Sequence, residues 1–238
     1  MSFKKIEEKR KPHPMKKIFQ IIRNERILIK APVDTMGCTC IPETSDLEEK
    51  KFRILMMLML SPQTKDERTY ETVHNLNDLL IECTKSGISK KNIADQPLSF
   101  LEDNIRKVNF FKTKAKNIHN IATEYVNRPL PSEHSELVKL PGIGNKIAFL
   151  YLQHACNKIL GVSVDTHMHR IINRIGTIKT KNPEQTRRYL ESIFEEKDWM
   201  ALNKVLVGYG QVICTPKKPN CKDCKVSNDC AYFKSLKF

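Results

Sequence analysis

The chain has 238 residues, with 41 Lys and Arg against 27 Asp and Glu, for a formal charge of +14. That length buries a core for one large domain or two small ones, and the basic surplus fits a polyanionic partner. The longest apolar run, Ile54 to Leu60, is about a third of the ~20 residues a spanning helix needs, so no membrane partner is expected.

Residues 1–17 hold Lys4, Lys5, Lys9, Arg10, Lys11, Lys16 and Lys17 against Glu7 and Glu8. Three readings stand for this segment: a nuclear address, a loose DNA-binding arm, or a solvated tail. The first 20 residues lack an apolar h-region, so no signal peptide is read there.

Beyond this tail the pattern is helical. Ser45-Asp-Leu-Glu48 reads as a capping box opening a helix through Phe52, Leu55, Met56 and Met59 to Leu60. Ser61-Pro62 ends or kinks it. Asp66 to Cys83 repeats apolar residues at Tyr70, Val73, Leu76, Leu79 and Leu80, with Gly87 as its stop. Amphipathic stretches follow over 97–108, 112–127 and 133–140, divided by Asn109, Pro129 and Pro131. A helix over 145–157 comes next, then one opened by Asn182-Pro183 that runs through Leu190 to Phe194. Trp199 to Val212 forms the last long helix, and short extended pieces are expected near Ile29 and over 159–164. The expected fold class is all-α, a single helical body with a metal-stapled C-terminal loop.

Leu140-Pro-Gly-Ile-Gly-Asn-Lys146 lies between two apolar helices. Gly142 and Gly144 permit a tight reversal and a close backbone approach at a helix N-terminus, where free amides attract phosphate. The segment reads either as a helix–hairpin–helix that grips a nucleic-acid backbone or as a plain turn between helices. Val164-Asp-Thr-His167 follows, and Asp165 by itself is an ordinary helix N-cap, with Gly176 closing that helix. His169, Arg170 and Arg174 on the same helix read as surface or phosphate-contacting groups.

Cys214, Cys221, Cys224 and Cys230 form a C-x6-C-x2-C-x5-C string that closes within 17 residues. Loops this short in a chain with an intracellular look favour a metal site over disulfides. Thiolate sets of this kind hold an iron–sulfur cluster or zinc, and a single close pair fits the cluster better than two separated zinc knuckles do. Cys38, Cys40, Cys83 and Cys156 read as ordinary thiols in a reducing compartment.

The glycine-rich motif, V-D-T-H and the cysteine string, in this order, resemble the endonuclease III family of helix–hairpin–helix DNA glycosylases, especially its eukaryotic members. Leu58–Asp66 (LMLSPQTKD) and Leu206–Gln211 (LVGYGQ) match further segments of that family. The resemblance runs from about Ala31 to Cys230. It implies a bifunctional glycosylase and abasic-site lyase of base excision repair that removes oxidised pyrimidines such as thymine glycol from duplex DNA. The nucleophile would be Lys146, with Asp165 assisting proton transfer or opposing positive charge on the sugar. The four cysteines would ligate a [4Fe-4S] cluster.

A six-helix barrel domain with the helix–hairpin–helix would span 44–158. An iron–sulfur cluster domain would combine 16–43 with 159–238, and 1–15 would be a flexible basic tail. Flipping a base from the stack calls for groups that fill the gap it leaves. Gln63 would face the orphaned base, and Phe110 would be an apolar wedge or else plain core. Asn109 stands where the family usually has glycine, and asparagine tolerates a left-handed backbone. Gly142, Gly144, His167 and Arg170 complete the expected DNA contacts, and Lys217, Lys218, Lys222 and Lys225 suit phosphate contact. The resemblance implies double-stranded DNA with a damaged base or abasic site as partner and a monomer as the working form, with the nucleus as the default compartment and the mitochondrion left open.

Overall fold

Pro14 opens the first helix of the computed structural model, which describes residues 13–236. The basic residues Lys4, Lys5, Lys9, Arg10 and Lys11 lie outside that span. Helix α1 (Pro14–Arg26) starts with a residue whose missing N–H is no loss at a first helical position. The ring Nδ1 of His13 accepts from Met15 N at 3.2 Å. Met15 is fully buried, so residues 14 and 15, expected to be part of a flexible tail over 1–15, belong to a packed helix. Its apolar face, with Ile18, Phe19 and Ile22, has a core to enter.

A short α2 (Pro32–Met36) leads to α3 (Leu47–Leu60). The cap of α3 is Asp46, whose carboxylate accepts from Glu49 N at 2.8 Å. The reciprocal capping box expected at Ser45 and Glu48 is replaced by a single cap one residue later, because the oxygen that reaches the third helical amide belongs to Asp46. Every residue from Phe52 to Leu60 is buried, which makes α3 the hydrophobic axis of the larger core.

Around α3 lie α4 (Asp66–Thr84), α5 (Lys90–Asp95), α6 (Leu98–Ile105), α7 (Phe111–Glu124), α8 (His134–Leu137) and α9 (Asn145–Ala155). Helix α4 stops at Lys85, which takes the left-handed conformation at φ 64°. Gly87 is needed for a different reason: a Cβ there would stand 2.2 Å from Asn77 Oδ1. Helix α5 was not legible in the apolar spacing, being six residues long with only Asn92 and Ile93 buried.

A second core forms where α1 meets α10 (Thr166–Ile175), α11 (Pro183–Ile193) and α12 (Glu196–Val212). A 3-10 turn (Ser227–Asp229) and α13 (Ala231–Ser235) finish the chain. The buried residues of the first core fall between Phe52 and Leu152, and those of the second run from Met15 to Ile22 and from Val162 to Val226. Val33 packs on the second core and Cys38 on the first, so the crossing comes a few residues before the expected boundary at 43–44. Among the described residues there is no strand. The extended pieces expected near Ile29 and over 159–164 are irregular connections, since each lacks a neighbour with which to form a ladder. Arg26, buried at the end of α1, secures the first connection by bonds to both carboxylate oxygens of Asp34, at 2.9 and 3.0 Å, and to Ile29 O.

Candidate active site and nucleic-acid interface

The glycine-rich turn between α8 and α9 gives its two glycines separate tasks. Gly142 has φ +80°, and a Cβ there would meet Asn117 Nδ2 at 2.6 Å, so the turn itself demands glycine. Gly144 is the N-cap of α9 in extended backbone. A Cβ on Gly144 would meet no atom within 4 Å. That open space lies in front of the free amides and positive end of α9, the arrangement that receives a phosphate.

Lys146 sits in the first turn of α9 and is half-buried. Ser163 Oγ donates to the Lys146 carbonyl at 3.1 Å, which fixes α9 to the strand-like approach of α10. Two residues further on, Asp165 caps α10 by accepting from Met168 N at 2.8 Å. Gly176 at φ 83° ends that helix. Asp165 is thus both a structural cap and a half-buried carboxylate.

Asp66 and Cys38, neither given a role at the site by the sequence, lie within electrostatic reach of Lys146, and Gln211 holds Asp66. Burial raises the Asp66 carboxyl, opposed by the Gln211 hydrogen bond and by the nearby charges of Lys146 and His167. Gln211 Nε2 donates to Asp66 Oδ2 at 2.7 Å while its Oε1 accepts from Val33 N at 3.0 Å. Cys38, also within electrostatic reach of Lys146, is pushed up to about 12 by burial and stays a neutral thiol. Asp66 and Gln211 end the two family-like segments LMLSPQTKD and LVGYGQ, so the signal was present in the sequence although their pairing was not.

Gln63 and Phe110 come together at the surface. Both are exposed and both hold the left-handed conformation, with φ 57° and 58°. Phe110 is 63% exposed, which removes it from the core, while Phe111 packs on the first core. The left-handed residue is Phe110 and not Asn109, because the chain turns one residue later, at the N-cap of α7.

Arg170 departs from the DNA-contact expectation. Its Nε and Nη2 donate to Cys214 O at 3.0 and 2.8 Å, and Nη2 also reaches Gly210 O at 2.8 Å. The same Nη2 lies 3.1 Å from His167 Nδ1. Arg174 likewise turns inward, to Thr215 O and Pro216 O at 2.7 Å and to Cys214 Sγ at 3.4 Å. His169 faces Thr186 Oγ1 at 2.7 Å. Arg170 and Arg174 brace the cysteine loop, since carbonyls left bare by its irregular backbone need donors. His167, half-buried against Gly210, remains beside Asp66.

Cys214, Cys221, Cys224 and Cys230 line one pocket walled by Ile22, Ile171, Ile175 and Val226. Tyr209 Oη lies 3.1 Å from Cys224 Sγ. Four sulfurs on an apolar-walled pocket, with the Arg174 guanidinium donating to one of them, suit a thiolate-bound inorganic cluster. Among the described residues no three His, Cys, Asp or Glu side chains close around a single-ion point. Cys38, Cys40 and Cys156 are half-buried free thiols and Cys83 is exposed.

Residues 56–196 match the HhH-GPD superfamily of base excision DNA repair proteins. The chain is 44% identical over 215 residues to the endonuclease III homolog of Encephalitozoon cuniculi, covering 88% of this chain and 90% of that protein. It is 39% identical over 231 residues to the chloroplastic endonuclease III homolog 1 of Arabidopsis thaliana, covering 92% of this chain but 59% of that protein. A solved endonuclease III trapped as a covalent intermediate with DNA superposes with a TM-score of 0.77 at 21% identity, covering 92% of this chain and 95% of that one. This last likeness speaks to the fold; the sequence relatives speak to descent, and by them the chain belongs to the endonuclease III family.

Proposed function

We propose that this chain is a bifunctional DNA glycosylase and abasic-site lyase acting on oxidised pyrimidines in duplex DNA. The observation that carries the reading is Lys146 in the first turn of α9, behind an open glycine turn and tied through Ser163 to the segment bearing Asp165.

In this mechanism the Lys146 amine attacks C1′ of the damaged nucleotide. The C1′–N bond to the base breaks, and the base leaves with the bonding electrons. Asp165 takes a proton from the attacking nitrogen and opposes the positive charge that develops on the sugar. Ring opening then gives a Schiff base between Lys146 and C1′. Loss of a C2′ proton breaks the C3′–O bond and releases the 3′ phosphate by β-elimination. The open space at Gly144 gives the amides of α9 access to a backbone phosphate, and the exposed pair Gln63 and Phe110 is placed to enter the gap left by the flipped nucleotide.

The four cysteines are the proposed ligands of a [4Fe-4S] cluster, with Arg174 as donor to Cys214 and the Tyr209 hydroxyl beside Cys224. When bound, the cluster supplies a rigid covalent staple for the lysine-bearing loop.

Borohydride trapping on a duplex with one thymine glycol tests the reading, with Lys146→Gln as control. A covalent adduct formed by the native chain and absent from the variant supports it. Free base without an adduct would mean a monofunctional glycosylase, and neither product would leave only DNA binding.

A further inference from the structure

The bonds between the segment that carries Gln63 and the one that carries Phe110 have a purpose beyond holding two loops. Asn109 Nδ2 donates to Gln63 O, and Asn109 N donates to Thr64 Oγ1 at 3.2 Å. Beneath them lies Lys114, a buried lysine on α7. Its ammonium donates to Leu60 O at 2.6 Å, to Pro62 O at 2.8 Å and to Thr64 Oγ1 at 3.2 Å. Among the described residues no carboxylate pairs with it; burial lowers Lys114, to about 8. A buried cation held only by carbonyls and a hydroxyl is an uncommon choice for simple packing.

The two residues carried by this scaffold are unusual in the same way. Gln63 and Phe110 are exposed, and each holds a left-handed backbone at φ 57° and 58°. Residues other than glycine keep that conformation when their surroundings impose it. Both side chains are exposed, and the bonds from Asn109 and Lys114 act on the backbone beneath. Asn109 is itself exposed, so its side chain makes its bond to Gln63 in spite of competing water.

We infer that Asn109 is a positioning residue that, with Lys114 as buried anchor, couples Gln63 and Phe110 into one two-pronged probe entering the duplex as a unit. The inference rests on the proposed placing of Gln63 and Phe110 at the DNA gap. It goes further in making the pair a single mechanical element. Loose prongs would each have to be ordered on binding, whereas a clamped pair meets DNA already arranged.

The test is a mutant cycle on single-turnover base release from a thymine glycol duplex. Rates are compared for the native chain, Gln63→Ala, Phe110→Ala and the double variant, and the four are repeated with Asn109→Ala. With Asn109 present, the double variant should lose at least about fivefold less than the product of the single losses, as coupled residues do. With Asn109→Ala the losses should multiply to within about twofold, as for independent sites. Asn109→Asp, which keeps the shape but turns a donor into an acceptor, should match Asn109→Ala. Single losses that already multiply in the native background overturn the clamp alone. Single variants with native rates overturn the placing of the two residues at the gap, and the clamp with it. Thermal melting confirms that each variant is folded; a purely structural role for Asn109 would lower melting without changing the coupling.

Discussion

Gln211 grips Asp66 across the seam between the two cores. Its Nε2 donates to the Asp66 carboxylate at 2.7 Å, and its Oε1 accepts from Val33 N at 3.0 Å. An amide offers a donor and an acceptor on one short planar group whatever the pH. One side chain thus fixes α2, α4 and α12 around Lys146.

Gln211→Glu therefore sets two carboxylates against each other while keeping the shape. The expected loss is about 1–3 kcal/mol of stability, as for a buried partner left unsatisfied. Urea unfolding checks it, and an unchanged midpoint would show that the bond does not hold the seam.

Asp66 has a sign that runs against the usual carboxylate. Burial raises it above 3.8, so the folded chain binds this proton more tightly than the unfolded chain. The stability linked to it is complete below the ordinary carboxylate range and is lost as pH rises through the raised value. Asp66→Asn keeps an oxygen for Gln211 and removes the charge. Its melting temperature should exceed that of the native chain near neutral pH and match it at strongly acidic pH. A difference that is the same at both pH values would remove Asp66 as the source.

Asp165 has two roles that two substitutions separate. Asp165→Asn keeps an oxygen for Met168 N, so helix α10 should lose only a few tenths of a kcal/mol, whereas Asp165→Ala should lose about 1 kcal/mol. Both should lose base release to a similar degree, because both lack the charge that the proposed chemistry uses. Melting curves read beside single-turnover rates decide it: activity that tracks stability across the two variants would reduce Asp165 to a cap.

The lysines of the cysteine loop, Lys217, Lys218, Lys222 and Lys225, are exposed. If each meets a phosphate, replacing one with Gln should make the slope of log affinity against log salt shallower by about 0.9. Titrations of an undamaged duplex at several salt concentrations give the slope directly, and a slope unchanged in all four variants would place DNA elsewhere.

Under the proposed cluster assignment, Cys224→Ser should remove visible absorbance and, with it, the staple of the second core. Val226 and Ile213 pack there beside Cys214 and Cys224, so loss of stability should accompany loss of colour. A colourless native chain holding stoichiometric zinc would instead replace the cluster by a single ion.

Local patterns determined much of this molecule. The helices α3, α4, α7, α9, α10, α11 and α12 follow from apolar spacing, and Asp165, Asn182 and Gly176 stop or start them within a few residues. The motif containing Lys146 and the cysteine string are likewise contiguous, so their chemistry is legible without a fold. The assignment of partners is not. Arg170 and Arg174 look like phosphate contacts on a helix, yet tertiary packing turns them toward the bare carbonyls of the cysteine loop, some 40 residues away. Lys114 is one more lysine in an amphipathic helix until α7 packs on α3 and buries it against the turn at Leu60. Asp66 meets Gln211 across 145 positions. Periodicity and capping depend on hydrogen bonds between residues a few places apart, which sequence records. The direction of a long polar side chain depends on which unsatisfied group the folded chain brings within reach, and only the tertiary structure decides that.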